Sequence, residues 1–173
     1  DLQRQYPTGS KFVILTLDMD FMGAGTPKRN YLTQLHEVIE LKRKYPNTLI
    51  PFLSIDPRRA SGKELQKFAE KYITEHGFHG LKMYTPLGFF PFDERLHELY
   101  LWAQEKRIPI LYHCHQGGGV YYKKPVKKEW LKPHPELTFE EKPMSEFRDN
   151  FMHPSCFKIL IKKYPKLKIC LAH

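Results

Sequence analysis

Five short apolar runs punctuate the chain, at residues 12–17, 49–55, 80–84, 108–112 and 167–172. Their near-continuous apolar character is that of strands covered on both faces, as in a parallel sheet. Between them the spacing changes to that of amphipathic helices. Leu32, Leu35, Val38 and Ile39 form one stripe, with Lys42 at its edge. Leu65, Phe68, Ala69, Tyr72 and Ile73 form the next, opened by a capping box, Ser61 to Glu64, and stopped by Gly77. A third stripe holds Leu96, Leu99, Tyr100 and Ala103 and is entered through Asp93. The fourth starts at Pro154, a favoured first helical position, and continues through Phe157, Leu160, Ile161 and Tyr164. Strand and helix alternate, which predicts right-handed crossovers and one parallel sheet.

The first four strands begin roughly 30 to 37 residues apart, the size of single βα units. The last gap is nearly twice as long. Its excess, residues 119–152, is rich in Lys, Pro and aromatic residues and carries no clear period. On a βα-barrel such an insertion would overhang the C-terminal face, where lids and specificity loops sit. The expected domain organisation is a single partial (β/α) barrel domain over residues 1–173, with a lid-like insertion at 119–152.

Position separates the polar residues that matter. Asp18, Asp20, Asp56, Lys82, His113, His115 and His173 all lie within or at the C-terminal ends of the predicted strands. In α/β sheets and barrels that edge carries the chemistry. His113 and His115 share one face of an extended strand, with Cys114 on the other. Imidazole is the commonest protein ligand for zinc and related metals, yet His-x-His serves equally as a hydrogen-bonded strand end. Lys82 has two readings, a catalytic amine or an ion pair with Asp56. Asp56 precedes Pro57 and is held extended for that reason alone. Asp18 and Asp20 suit a cap on the following turn.

Composition narrows the class. The 173 residues are 41% hydrophobic and 27% charged, enough for one sizeable globular core. No run approaches the ~18 apolar residues of a spanning helix, and no basic-then-apolar leader opens the sequence. Cys114, Cys156 and Cys170 are odd in number without a C-x-x-C pair. They read as free, buried thiols in a reducing compartment, which places the protein in the cytoplasm. The net charge of +9 gathers partly around Lys123, Lys124, Lys127, Lys128 and Lys132, among Tyr121, Tyr122 and Trp130. Single-strand binders use that mixture. No nucleic-acid motif accompanies it, so the charge reads as solvated loop and helix face. The expected partner is a small molecule, with neither membrane nor nucleic acid, and a homo-oligomer stays open.

Residues 77–118, "GFHGLKMYTPLGFFPFDERLHELYLWAQEKRIPILYHCHQGG", resemble the middle of a metal-dependent amidohydrolase-superfamily barrel. The likeness is narrower still, to the branch with aromatic-acid decarboxylases and lactone hydrolases. That branch reads Gly-Phe-x-Gly-φ-Lys on its fourth strand and Pro-φ-φ-φ-His on its fifth, where φ is apolar. Residues 153–173, "HPSCFKILIKKYPKLKICLAH", are similar to its next unit, and "LSIDPRR" at 53–59 fits its third strand. The resemblance implies an α/β fold, TIM-barrel-type (β/α) units forming strands two to six of a (β/α)8 barrel. It implies that His113 and His173 are metal ligands, that His115 and Asp56 belong to the pocket, and that Lys82 has substrate or electrostatic duty. Lys82 falls near a position that is a carboxylated lysine in dinuclear members, whereas this branch is usually mononuclear. The metal so implied is zinc, with manganese the other candidate, and the reaction is hydrolysis or decarboxylation of a small carboxylate- or amide-bearing molecule.

The family's opening His-x-His and closing Asp have no counterpart in these 173 residues. Five strands do not close an eight-stranded barrel. The expectation is a central fragment of a longer enzyme, binding metal weakly and inactive alone. The competing reading is a non-catalytic binding or scaffolding domain that uses the basic aromatic insertion as its contact surface.

Overall fold

A computed structural model describes residues 2–22, 25–115 and 150–173. After a short N-terminal helix α1 (Leu2–Gln5), five strands alternate with helices: β1 (Phe12–Leu15), β2 (Leu49–Ile55), β3 (Gly80–Met83), β4 (Ile110–His113) and β5 (Ile169–Ala172). The helices between them are α2 (Tyr31–Lys44), α3 (Lys63–Glu75), α4 (His97–Glu105) and α5 (Pro154–Lys163). All neighbouring strands are parallel, in the order β1-β2-β3-β4-β5. The sheet curls into a half-barrel of α/β type.

Register assigns the two faces. Leu53, Leu81 and Ile110 lie in one row across β2, β3 and β4, and Ile55, Met83 and Tyr112 in the next. All six are buried in the core that the helices cover. The alternate positions, Ser54, Lys82 and Leu111, form the opposite row. Along β1 that inner face carries Val13 and Leu15, which remain 55% and 43% exposed. Gly80 lies on the same face, and a Cβ there would stand 2.7 Å from the Phe52 ring and 2.8 Å from the Pro109 carbonyl oxygen. The glycine lets Phe52 lie flat across β3.

Helix ends show where local chemistry decided. Asn30 caps α2 by accepting from the Thr33 amide at 2.9 Å, and Lys42, at the stripe's edge, donates to the carbonyls of Pro46 and Leu49. Pro154 occupies the first turn of α5 as its position predicts. The capping box at Ser61 does not form. The N-cap is Gly62, at φ +53°, and no side chain caps it. Gly77 does end the α3 segment, with φ +70°. Two 3-10 turns, Thr85–Leu87 and Glu94–Leu96, connect β3 to α4, the second of them capped by Asp93 at the predicted entry to the third stripe. Tyr112 bridges that connection to β4: its hydroxyl lies 2.5 Å from that of Tyr100, which donates to the Pro91 carbonyl.

Helix α4 closes on a Schellman motif, in which Ile108 N–H bonds the Ala103 carbonyl and Arg107 N–H bonds that of Gln104. Arg107 therefore takes a left-handed backbone, φ +57°. Glycine adopts that conformation without the Cβ penalty. Arg107→Gly should raise stability by up to about 1 kcal/mol, read as a higher urea midpoint at unchanged m-value.

Among the described residues the cysteines are free. Cys156 is buried, as expected, but Cys170 is exposed, because its place on edge strand β5 faces the open side of the half-barrel. Residues 119–149, most of the predicted insertion, lie outside the described residues. No helix among the described residues is long and apolar enough to cross a membrane.

Candidate functional site

The C-terminal ends of the strands divide into two clusters of different chemistry. On the β1–β2 side the carboxylates meet arginines. Asp18, fully buried, accepts two bonds from Arg59, from Nε at 2.7 Å and a terminal nitrogen at 2.8 Å. The same terminal nitrogen reaches Asp20 at 2.7 Å. Burial pushes the Asp18 carboxyl up, against the pull of Arg59. Burial likewise opposes the Arg59 charge, but bonds to the two carboxylates prevail and hold the guanidinium protonated. Asp56 is engaged by Arg58, whose Nε donates at 2.8 Å and whose backbone N–H donates at 2.9 Å. The Phe21 ring lies 5.6 Å from the Arg58 guanidinium and 5.1 Å from that of Arg59.

This pairing corrects two expectations. Asp56 is not the partner of Lys82, because Arg58 follows it by two residues and folds back onto its carboxylate. Asp18 and Asp20 do more than cap a turn. Asp20 accepts from the Tyr31 amide at the start of α2, yet both carboxylates are chiefly the counter-ions of Arg59. Arg58 and Arg59 were not among the expected site residues. The signal was in "IDPRR", where two arginines directly follow an Asp-Pro turn.

The β3–β5 side gathers the imidazoles. The His113 and His173 ring centroids lie 4.9 Å apart, His115 and His173 5.7 Å, and His113 and His115 6.4 Å. The geometry follows from register. His113 pairs with Ala172, and the Cys114 amide extends the ladder to the Ala172 carbonyl, which brings His115 and His173 to the same mouth. Tyr84 packs on His113 with centroids 4.5 Å apart. Beneath it Lys82 sits 5% exposed on the inner face, its Nζ 5.8 Å from the Tyr84 ring centre. No carboxylate pairs with Lys82 among the described residues, and burial lowers its pKa to about 8. The structure thus brings His113, His115 and His173 together, sets Lys82 beside them and leaves Asp56 to an arginine.

A solved structure described as an amidohydrolase II shares this architecture. The TM-score is 0.51 at 16% identity, and the match covers 80% of this chain and 42% of that one. The likeness shows the fold, part of a TIM-type (β/α) barrel. The chain spans less than half the length of that protein. No family model and no curated protein sequence matches the chain.

Three imidazoles are suitable donors for a divalent metal. Among the described residues, however, no three side chains of His, Cys, Asp and Glu converge closely enough to hold an ion. His113 and His173 meet edge to face, and the strand-end carboxylates Asp18 and Asp56 are committed to arginines. The described residues do not amount to a complete metal centre.

Proposed function

We propose that the chain is the central part of a metal-dependent hydrolase of the amidohydrolase superfamily, of the branch with aromatic-acid decarboxylases and lactone hydrolases. Its substrate is a small carboxylate- or amide-bearing molecule. The observation that carries this reading is the cluster of His113, His115 and His173 at the C-terminal edge of an amidohydrolase-type sheet. His113 and His173 are the proposed metal ligands, zinc or manganese being the candidates, and further ligands are needed to complete the site. A bound metal would supply Lewis acidity, polarising a substrate oxygen or acidifying water. His115 contacts substrate and can relay protons. Lys82 gives the floor positive character that suits a carboxylate. Asp56 acts through Arg58, which it orients at the pocket wall.

The test is made on the protein expressed from its whole reading frame. Zinc or manganese should co-purify with it and be lost in His113→Ala and His173→Ala. A metal-free protein, inactive against ester, lactone and amide substrates with or without added metal, would sink the proposal. Calorimetric zinc titration of the 173-residue chain should show only weak binding, since the described donors form half a site. A stoichiometric, tight isotherm would contradict that expectation.

A further inference from the structure

We propose that Lys82 is a covalent capture site for small aldehydes and keto acids, which it holds as an imine on the inner face of the sheet. This goes beyond the hydrolase reading and requires no metal. Lys82 is the middle of the row Ser54-Lys82-Leu111, and its 5% exposure leaves the amine little water to stabilise a charge. A buried lysine is ordinarily retained with a carboxylate beside it. Among the described residues the groups around it are different: Tyr84 just past the end of its own strand, His113 on β4 beyond Tyr84, and Cys170, which is placed on β5 opposite Leu111. Asp56, just past the end of β2, is paired with Arg58.

A lysine so placed has a purpose as a nucleophile. Burial brings its pKa to about 8, so roughly a tenth of the amine is neutral at pH 7, against a few parts in ten thousand for an ordinary lysine. A desolvated amine is the form that adds to carbonyl carbon. The nitrogen lone pair forms the C–N bond as the carbonyl π electrons move to oxygen. The amine's two protons leave with that oxygen as water, and C=N replaces C=O. No oxidant or reductant is consumed. The imidazoles of His113, His115 and His173 at the mouth suit a small carbonyl compound that carries a carboxylate.

Competitive labelling tests this without reference to turnover. The chain is treated briefly with glyoxylate and cyanoborohydride at pH 7, which reduces any imine to a stable secondary amine. Peptide mapping then separates Lys82 from the α-amine and from exposed lysines such as Lys67, Lys71 and Lys158. Lys82 should label at least tenfold faster than those three. Its rate should level off above pH 8, while theirs climbs past pH 9. Labelling of Lys82 no faster than the exposed lysines, in a chain that still melts cooperatively, overturns the proposal. So does a Lys82 rate that keeps rising above pH 9. Failure here leaves the metal and hydrolysis tests of the preceding reading untouched, and the reverse also holds.

Discussion

Replacing Arg59 by methionine should destabilise the fold by about 3–5 kcal/mol, the cost of leaving a buried ion without its partner. Asp18 has no exposed surface, and both its oxygens are held by that one guanidinium. Arg59 also lies against the Phe21 and Tyr31 rings, at 5.1 and 5.0 Å, so methionine keeps part of the packing and loses the charge. The pH dependence identifies the cause. Without the arginine, burial and the nearby Asp56 charge are opposed only by the Asp20 amide, and the folded pKa of Asp18 moves further above the unfolded value of about 3.9. A carboxyl with a raised folded pKa is most stabilising when protonated, so its penalty shrinks as pH falls through that folded pKa. The gap between variant and parent should therefore narrow from pH 7 toward pH 4 in urea denaturation. A constant gap over that range would assign the loss to packing and count against the buried-ion account.

Lys82→Met should act in the opposite direction. The lysine titrates at about 8 in the fold against about 10.5 when unfolded, because burial disfavours its charge. Between those values the unfolded chain holds more protons, so this residue's contribution to stability improves as pH rises from 8 to 10.5 and is at its worst below 8. At pH 7 methionine, of similar length and uncharged, should gain roughly 2–3 kcal/mol. The gain should fade between pH 8 and 10.5. Other groups titrate there too, among them tyrosines whose burial raises them. The quantity to measure is the difference between the two proteins. A variant less stable than its parent at pH 7 would show that the ammonium is better accommodated than its surroundings indicate.

Much of the architecture was legible because it rests on periodicity. The five strands, the four amphipathic helices and the parallel order follow from apolar runs and stripes whose partners are supplied by neighbouring units. Boundaries were less so. The first strand ends at Leu15 rather than Leu17, since Thr16 turns its hydroxyl to the Phe52 carbonyl and the Tyr31 hydroxyl. The Ser61 cap failed because Gly62 takes a backbone conformation that moves the helix start past it.

The site was legible by position and misread by partner. Strand-end placement put His113, His115 and His173 at one edge, and their rings do lie near one another, since parallel register forces consecutive strand ends together. It could not tell which carboxylates would be consumed locally. That depended on two arginine side chains long enough to fold back, a reach that strand and helix periods do not encode. Lys82 was placed on a strand, but that no carboxylate pairs with it among the described residues is a property of the assembled neighbours alone.

The strand order has a consequence for assembly. β1 and β5 each have one paired and one open side among the described residues, and they differ in sequence and outlook. Val13 and Leu15 present aliphatic surface at one margin, while Leu171 and a thiol, Cys170, do so at the other. Two copies that continue the sheet in parallel would join unlike margins and leave one of each free for the next copy. Such contacts propagate in rows and do not close into a two-fold pair. Concentrated solutions of the isolated chain would then grow by end-to-end addition, and charge placed at Val13 would interrupt the row.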